Sequence, residues 1–327
     1  EEELYEGKKY KMEKKDDRID KIKRKTLTIT SCEPSSLKQL AFESEDFGDV
    51  KSLSGLKIKT SFFIFQQKGM PSEYYEKVCE LGEGSYGKVF KVIHKASGAE
   101  RAIKVIKTNQ LAEGYNIADI ERELKILKNL DHPNIMKVYE SYIDSYNFYL
   151  VTEYCSEGDL FDKIEKMKSL SEKVVKILMF QIISAVAFLH ENNVIHGDLK
   201  LENILIDSIH KRNTSFRTSI TRDLENNKFK NFSKFDIRLI DFGCSKIFTR
   251  ERKKFTDVIG SLYYASPEIF KNSYNEKVDL WACGVVMFFL LSGRPPFTGL
   301  EDDEVIDNIM KGEFNFNNPA FLKVSHI

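Results

Sequence analysis

The chain has 327 residues, enough for two or three structural units around a sizeable core. Fifty basic and fifty acidic residues cancel, so the bulk charge makes no case for nucleic acid or an anionic membrane as partner. Five scattered cysteines (Cys32, Cys79, Cys155, Cys244 and Cys283) form no C-x-x-C pair; they read as reduced thiols in a cytoplasmic protein and argue against a zinc site.

Residues 1–70 form a charged N-terminal extension with little apolar periodicity. Its run from Lys8 to Lys25 holds ten basic and four acidic residues, the composition of a flexible solvated arm or, alternatively, of a basic docking segment. No signal peptide opens the chain and no transmembrane segment is expected; a start at Glu1 leaves an acylation signal, and membrane association through it, undecided.

Residues 71–155 are strand-rich. Val89–Ile93 and Ala102–Ile106 predict paired strands around the turn Lys95-Ala96-Ser97-Gly98. Apolar residues at 117, 120, 124, 127 and 130 predict a helix from Ile117 to Leu130. Residues 156–327 turn helical. Ser171 to Glu191 predicts a long helix capped by Ser171, and a second buried helix runs from about Glu276 to Leu291, stopped by Ser292-Gly293 with Pro295-Pro296 beyond. Its greasiest part, Val285–Leu291, is far too short to span a bilayer. Between Leu205 and the strand Ile237–Ile240, residues 208–235 predict a disordered basic insertion: Lys211 to Lys234 carries seven basic residues, two acidic and six Ser/Thr.

Three motifs carry chemistry. Gly82-x-Gly84-x-x-Gly87 alone is weak, because dinucleotide folds use the same spacing; there, however, a helix follows, whereas Val89 here continues a strand. Glycines between two strands suit a flap whose backbone amides lie over phosphates. His196-Gly197-Asp198-Leu199-Lys200-Leu201-Glu202-Asn203 then places an acid, a lysine and an amide within six residues, and Asp241-Phe242-Gly243 adds a second acid. Phosphoryl transfer needs a positioned hydroxyl, held metal ions and clamped phosphates more than covalent help.

With Ala102-Ile103-Lys104, Glu123, Gly260–Glu268 and Asp279–Gly284 in order, the chain from about Tyr75 to its end resembles the eukaryotic serine/threonine protein kinases. The resemblance implies an α+β, bilobal fold: a small lobe of antiparallel strands with one helix, and a mainly helical large lobe whose C-terminal helices are missing because the sequence stops at Ile327. It implies ATP- and magnesium-dependent transfer of the γ-phosphoryl group to Ser/Thr hydroxyls. Asp198 would orient the substrate hydroxyl, Lys200 would touch the γ-phosphate, and Lys104 would hold the α/β-phosphates while pairing with Glu123. Asn203 and Asp241 would hold Mg2+. Leu81, Gly82, Gly84, Gly87, Val89, Ala102, Lys104, Thr152, Glu153, Cys155, Asp159 and Leu205 would surround ATP, with Val89, Ala102 and Leu205 sandwiching adenine and Thr152 as gatekeeper. Leu127, Val138, His196 and Phe242 would stack as a column between the lobes, His196 as a packed ring and not a base. Asp159 and Glu202 would receive an arginine before the acceptor, and Ser261 would line the substrate site, so protein substrates with basic residues near Ser/Thr are the expected partners.

Tyr149–Asp162 and Gly293–Phe297 look most like the calcium/calmodulin-regulated and calcium-dependent group. No EF-hand loop occurs, since Glu43–Ser54 fails at several ligand positions, so a calcium-sensor domain or calmodulin is expected outside this chain. Departures matter as well. Gly197 replaces the arginine that usually precedes the catalytic acid and binds an activation-segment phosphate, which makes phosphorylation of Thr249 or Thr256 an improbable main switch. Ser266 stands where alanine is usual, and the insertion sets Asn203 and Asp241 38 positions apart, with Arg212-Asn213-Thr214-Ser215 as an autophosphorylation candidate. Gly197 and the early end also support an alternative, a pseudokinase or autoinhibited scaffold acting by binding only.

Overall fold

The computed structural model describes residues 65–68, 70–84, 87–108, 117–208, 235–249 and 254–325. The basic N-terminal run, the flap tip Ser85-Tyr86, the insertion with Ser215, and Arg250 to Lys253 lie outside the described residues.

Strands β1 (Phe65–Lys68), β2 (Tyr75–Gly84), β3 (Gly87–His94), β4 (Glu100–Lys107), β5 (Val138–Ile143) and β6 (Asn147–Glu153) build one sheet in the order β1-β5-β6-β4-β3-β2. Five of them form the expected antiparallel lobe. The sixth, β1, runs parallel to β5 with Phe65 opposite Glu140, so four residues assigned to the extension belong to the sheet edge. Phe65-Gln66-Gln67-Lys68 has no alternation to announce a strand, and its partner lies far downstream. Helix α1 (Ile117–Lys128) packs Ile120, Leu124 and Leu127 at helical spacing against Ile106, Phe148 and Leu150. A second cluster on the sheet joins Tyr75, Val92, Ile103, Tyr142 and Val151.

The large lobe holds α2 (Leu160–Met167), α3 (Glu172–Glu191), α4 (Pro267–Phe270), α5 (Lys277–Ser292) and α6 (Asp302–Lys311). Two short antiparallel pairs support its upper face: β7 (Val194–Ile195) with β10 (Lys246–Ile247), and β8 (Ile204–Ser208) with β9 (Phe235–Leu239). Helix α3 begins where predicted, but the Ser171 hydroxyl makes no capping bond; its carbonyl instead accepts from Val174 and Val175. By length and composition alone α3 could cross a membrane. Its stripe of Val175, Leu178, Ile182, Val186 and Leu189 is buried against the lobe, so we read it as a core helix. Truncating Ile182 to alanine there would cost about 2–5 kcal/mol. Helix α5 stops at Gly293, whose φ of 74° closes the turn through its N–H to the Phe289 carbonyl at 2.7 Å.

Candidate active site

The loop after β7 is held from below. Asp279, buried in the first turn of α5, accepts the His196 and Gly197 backbone N–H groups, each at 2.9 Å, and contacts His190 Nε2 at 2.9 Å. The His196 ring is used up: Nε2 lies 3.1 Å from the Ile240 carbonyl, which can only accept, so Nε2 carries the proton. Nδ1 then accepts the Asp198 N–H at 3.3 Å. A buried ring engaged at both nitrogens and packed against Phe242, centroids 5.0 Å apart and planes tilted by 54°, is a packed histidine. Leu127, Val138 and Phe242 belong to the large buried cluster that runs through both lobes.

Above it lies a closed web. Asp198 Oδ1 accepts the Ser261 hydroxyl at 2.8 Å, while Oδ2 takes Lys200 Nζ at 2.8 Å and Asn203 Nδ2 at 3.1 Å. Asn203 Nδ2 also reaches the Asp198 carbonyl at 2.8 Å, and Lys200 donates to Ser261 Oγ at 2.8 Å. All four side chains are buried, so these charge-assisted bonds act at low effective dielectric and fix their partners.

Asp241 follows with φ of 62°, a left-handed conformation costly for a non-glycine residue and held by its surroundings. Burial works against its charge, but Lys104, Lys200 and the Gly243 N–H outweigh it and keep the carboxyl below its ordinary range. Lys104 shows the reverse sign. Burial opposes its charge, yet the carboxylates of Glu123 and Asp241 win and raise it. Lys104, Glu123 and Asp241 therefore form one electrostatic unit, and Lys200, raised against burial chiefly by Asp198, ties it to the web.

Of the residues expected around ATP, Ala102 faces Thr152 across β4 and β6, and Val89 and Leu205 are partly exposed. Cys155 is buried and Leu81 exposed. Gly84 pairs with Gly87 at the flap end, and Gly82 is exposed. The Thr152 hydroxyl donates to the Glu153 carbonyl at 3.2 Å. Two substrate candidates take on structural duties. Asp159 caps α2 by accepting the Asp162 N–H at 2.8 Å and bridges to Leu205. Burial pushes Glu202 up to about 7; its own N–H and Lys200 oppose this, and Asp198 and Asp159 reinforce it. The Tyr264 hydroxyl stands 3.5 Å away. Phe289 packs with its ring centroid 6.0 Å from that of Phe161.

Gly197 meets a tight backbone position here. Its φ is 79°, and a methyl group would lie 2.7 Å from Ile259 Cδ1 and 2.8 Å from the Cys244 carbonyl oxygen. Burial, with Asp198 and Asp241 nearby, pushes the Cys244 thiol up to about 12, which leaves it unreactive. Ser266 Oγ, replacing the usual alanine, is buried without a hydrogen-bond partner.

No group of three or more His, Cys, Asp or Glu that could form a metal cage occurs among the described residues. Sequence reasoning did not find Arg238: it is buried against Glu153, and no local signal separates it from an exposed arginine.

The family model for the protein kinase domain matches residues 75–325. Among curated proteins, the chain is 36% identical to calcium-dependent protein kinase 4 of Plasmodium berghei over 274 residues, 84% of this chain and 48% of that protein. It is 40% identical to calcium-dependent protein kinase 5 of Plasmodium falciparum over 247 residues, 75% of this chain and 39% of the relative. Calcium-dependent protein kinase 3 of Plasmodium yoelii yoelii matches at 33% over 276 residues, 84% of this chain and 47% of its own length. The chain thus spans less than half the length of these relatives.

Proposed function

The chain belongs to the protein kinase domain family, and from that premise we propose that it transfers the γ-phosphoryl group of ATP to serine or threonine hydroxyls in basic peptide contexts, with Mg2+. The observation that carries this reading is the web in which Ser261, Lys200 and Asn203 all converge on the Asp198 carboxylate. An incoming hydroxyl meets an acid already oriented by three donors, beside a lysine that can neutralise a phosphoryl oxygen. Because a loose phosphoryl-transfer transition state asks for position and charge, little else is required of the protein.

Asn203 and Asp241 would hold the metal. The Asn203 amide nitrogen is bonded to Asp198, which leaves its carbonyl oxygen as the ligand, and Lys104 and Lys200 keep Asp241 anionic. Bound Mg2+ supplies charge neutralisation across the phosphates. Lys200 two residues after the acid, bridged to it by Ser261, supports Ser/Thr over Tyr acceptors. Asp159 lies close enough to Glu202 to raise its proton affinity, and the pair would supply negative potential for a basic residue. The relatives are named calcium-dependent protein kinases and are longer than this chain, which supports a calcium-sensing region or calmodulin as regulatory partner.

Turnover of a basic serine peptide by the purified chain, against Asp198→Asn, tests the reading. Loss of about 10²–10⁴-fold in kcat with nucleotide binding retained is expected. Equal turnover by both proteins would overturn it, and nucleotide binding without turnover by either would leave a scaffold.

A further inference from the structure

We propose that Arg238 is a positioning residue for ATP: its buried ion pair with Glu153 pins the strand leading to Asp241 against the segment that links the two lobes. This rests on the kinase reading only in taking the cleft as a nucleotide site.

Glu153 ends β6, where the chain passes from the small lobe to the large one, and Arg238 lies on β9 three residues before Asp241. Both are buried, with Arg238 Nε 3.0 Å from Glu153 Oε1. The same oxygen accepts the Lys137 N–H at 2.9 Å, and the Glu153 N–H returns to the Lys137 carbonyl at 3.0 Å. Lys137 ends a stretch already stitched to β9: Met136 N–H meets the Leu239 carbonyl and Leu239 N–H meets the Asn134 carbonyl, both at 2.9 Å. One carboxylate oxygen therefore joins three chain segments, two entering the small lobe and one belonging to the large lobe. Arg238 also sits opposite Leu205 in the β8–β9 register, the residue read as the floor of the adenine slot. Its guanidinium is fixed further by the Ile237 carbonyl at 2.7 Å and by Asp236 at 4.0 Å.

Packing alone does not hold this junction. A cavity of about 540 Å³ lies on the side of the hinge lined by Glu153, Arg238, Lys137, Tyr139 and Asp207. Surfaces beside an open cavity can slide, whereas a charge-assisted Nε–H bond to a buried carboxylate, with the rest of the guanidinium held by the Ile237 carbonyl, fixes distance and direction together. A buried ion pair gives little net stability over an apolar pair of similar volume, so its consequence here is geometric. It couples the hinge backbone, where adenine would lie, to the strand carrying a metal ligand for the phosphates.

The test uses the full chain, with ADP affinity by calorimetry, ATP KM, peptide KM, kcat and thermal midpoint measured on each variant. In Arg238→Met, ADP affinity falls and ATP KM rises about tenfold, while peptide KM holds and kcat changes less than about threefold. Arg238→Lys, whose ammonium can still donate to the Glu153 carboxylate, recovers most of that loss. Unaltered ADP affinity and ATP KM in Arg238→Met would overturn the proposal. So would equal losses in every parameter together with a lowered midpoint, which mark a merely structural role. Should Arg238→Met not fold, Glu153→Gln/Arg238→Met removes both charges and keeps an acceptor for the Lys137 N–H. Weakened ADP binding at a wild-type midpoint then supports the pin, and wild-type binding sinks it. Wild-type protein that binds ADP without turnover refutes the kinase reading alone, since ADP affinity still reports on the pin.

Discussion

The catalytic loop and the glycine flap, both expected around ATP, are built on opposite terms. At Gly197 a methyl group would meet a side chain at 2.7 Å and a carbonyl oxygen at 2.8 Å, while at Gly82 it would meet nothing within 4 Å. The loop's functional side chains are buried and bonded to one another; the flap exposes Val78 and Leu81 and carries register shifts between Lys77 and Cys79 and between Glu80 and Gly82. Stabilising charge in a transition state rewards groups that need not reorganise. Covering a phosphate chain rewards a backbone that can close on it, and such segments come from the less restrained end of a structure.

The web offers the sharpest way to break this contrast. Asn203→Ala removes both bonds that tether the Asp198 carbonyl and Oδ2. We expect kcat to fall about 10²–10³-fold with the thermal midpoint little changed, since the residue serves the site more than the core. A tenfold loss or less in steady-state turnover would show that the loop is not held through this amide.

Within the flap the two glycines should separate. Gly87 has φ of 150°, and a methyl there would overlap the Val105 carbonyl oxygen of the neighbouring strand. Gly87→Ala is expected to weaken ATP binding by about tenfold or more, whereas Gly82→Ala stays within about twofold. Nucleotide titration of the pair decides it: equal effects would mean that the flap's freedom is uniform along its length.

The loop's functional residues are legible in the sequence, and the reason is chemical. Asp198, Lys200, Asn203 and Asp241 stand at spacings that phosphoryl transfer constrains, so residue type and order carried the signal. Asp279 was legible only as part of a helix start, because its three donors come from His190, His196 and Gly197, far away in sequence. The Arg238–Glu153 pair was invisible for the same reason: an arginine reads as exposed until its partner 85 positions away is in place. Strand β1 was missed because four residues with two glutamines carry no period. Ser171 shows the converse error, a good capping residue whose hydroxyl is not used.

Gly197 probes the loop's lack of slack directly. Gly197→Ala keeps both N–H bonds to Asp279 available but forces a Cβ against Ile259 and the Cys244 carbonyl at φ of 79°. A loss of about 1–3 kcal/mol in unfolding free energy is expected, and Gly82→Ala should cost under about 1 kcal/mol. Denaturant titrations showing equal costs at the two glycines would remove the contrast in packing.

The smallest expected effect concerns how the segment after Asp241 is braced without the missing arginine. Lys246 on β10 pairs with Asp257, which also accepts the Tyr274 hydroxyl at 3.3 Å. Burial raises the Asp257 carboxyl, but the hydrogen bond and charge of Lys246 outweigh it, so its folded value lies below the ordinary one. A depressed carboxyl adds stability that is complete above its unfolded value, near pH 4, and is lost as pH falls through the folded value. Asp257→Asn should therefore cost about 1 kcal/mol at pH 7, roughly 2 °C in Tm, with the gap to wild type closing below about pH 4. If this brace replaces a phosphate, Thr256→Ala leaves turnover within about twofold, because no guanidinium stands at position 197 to receive the modified hydroxyl. A gap that does not shrink at all as pH falls below about 4 would assign the effect of Asp257→Asn to packing, and a large loss in Thr256→Ala would restore phosphorylation as the switch.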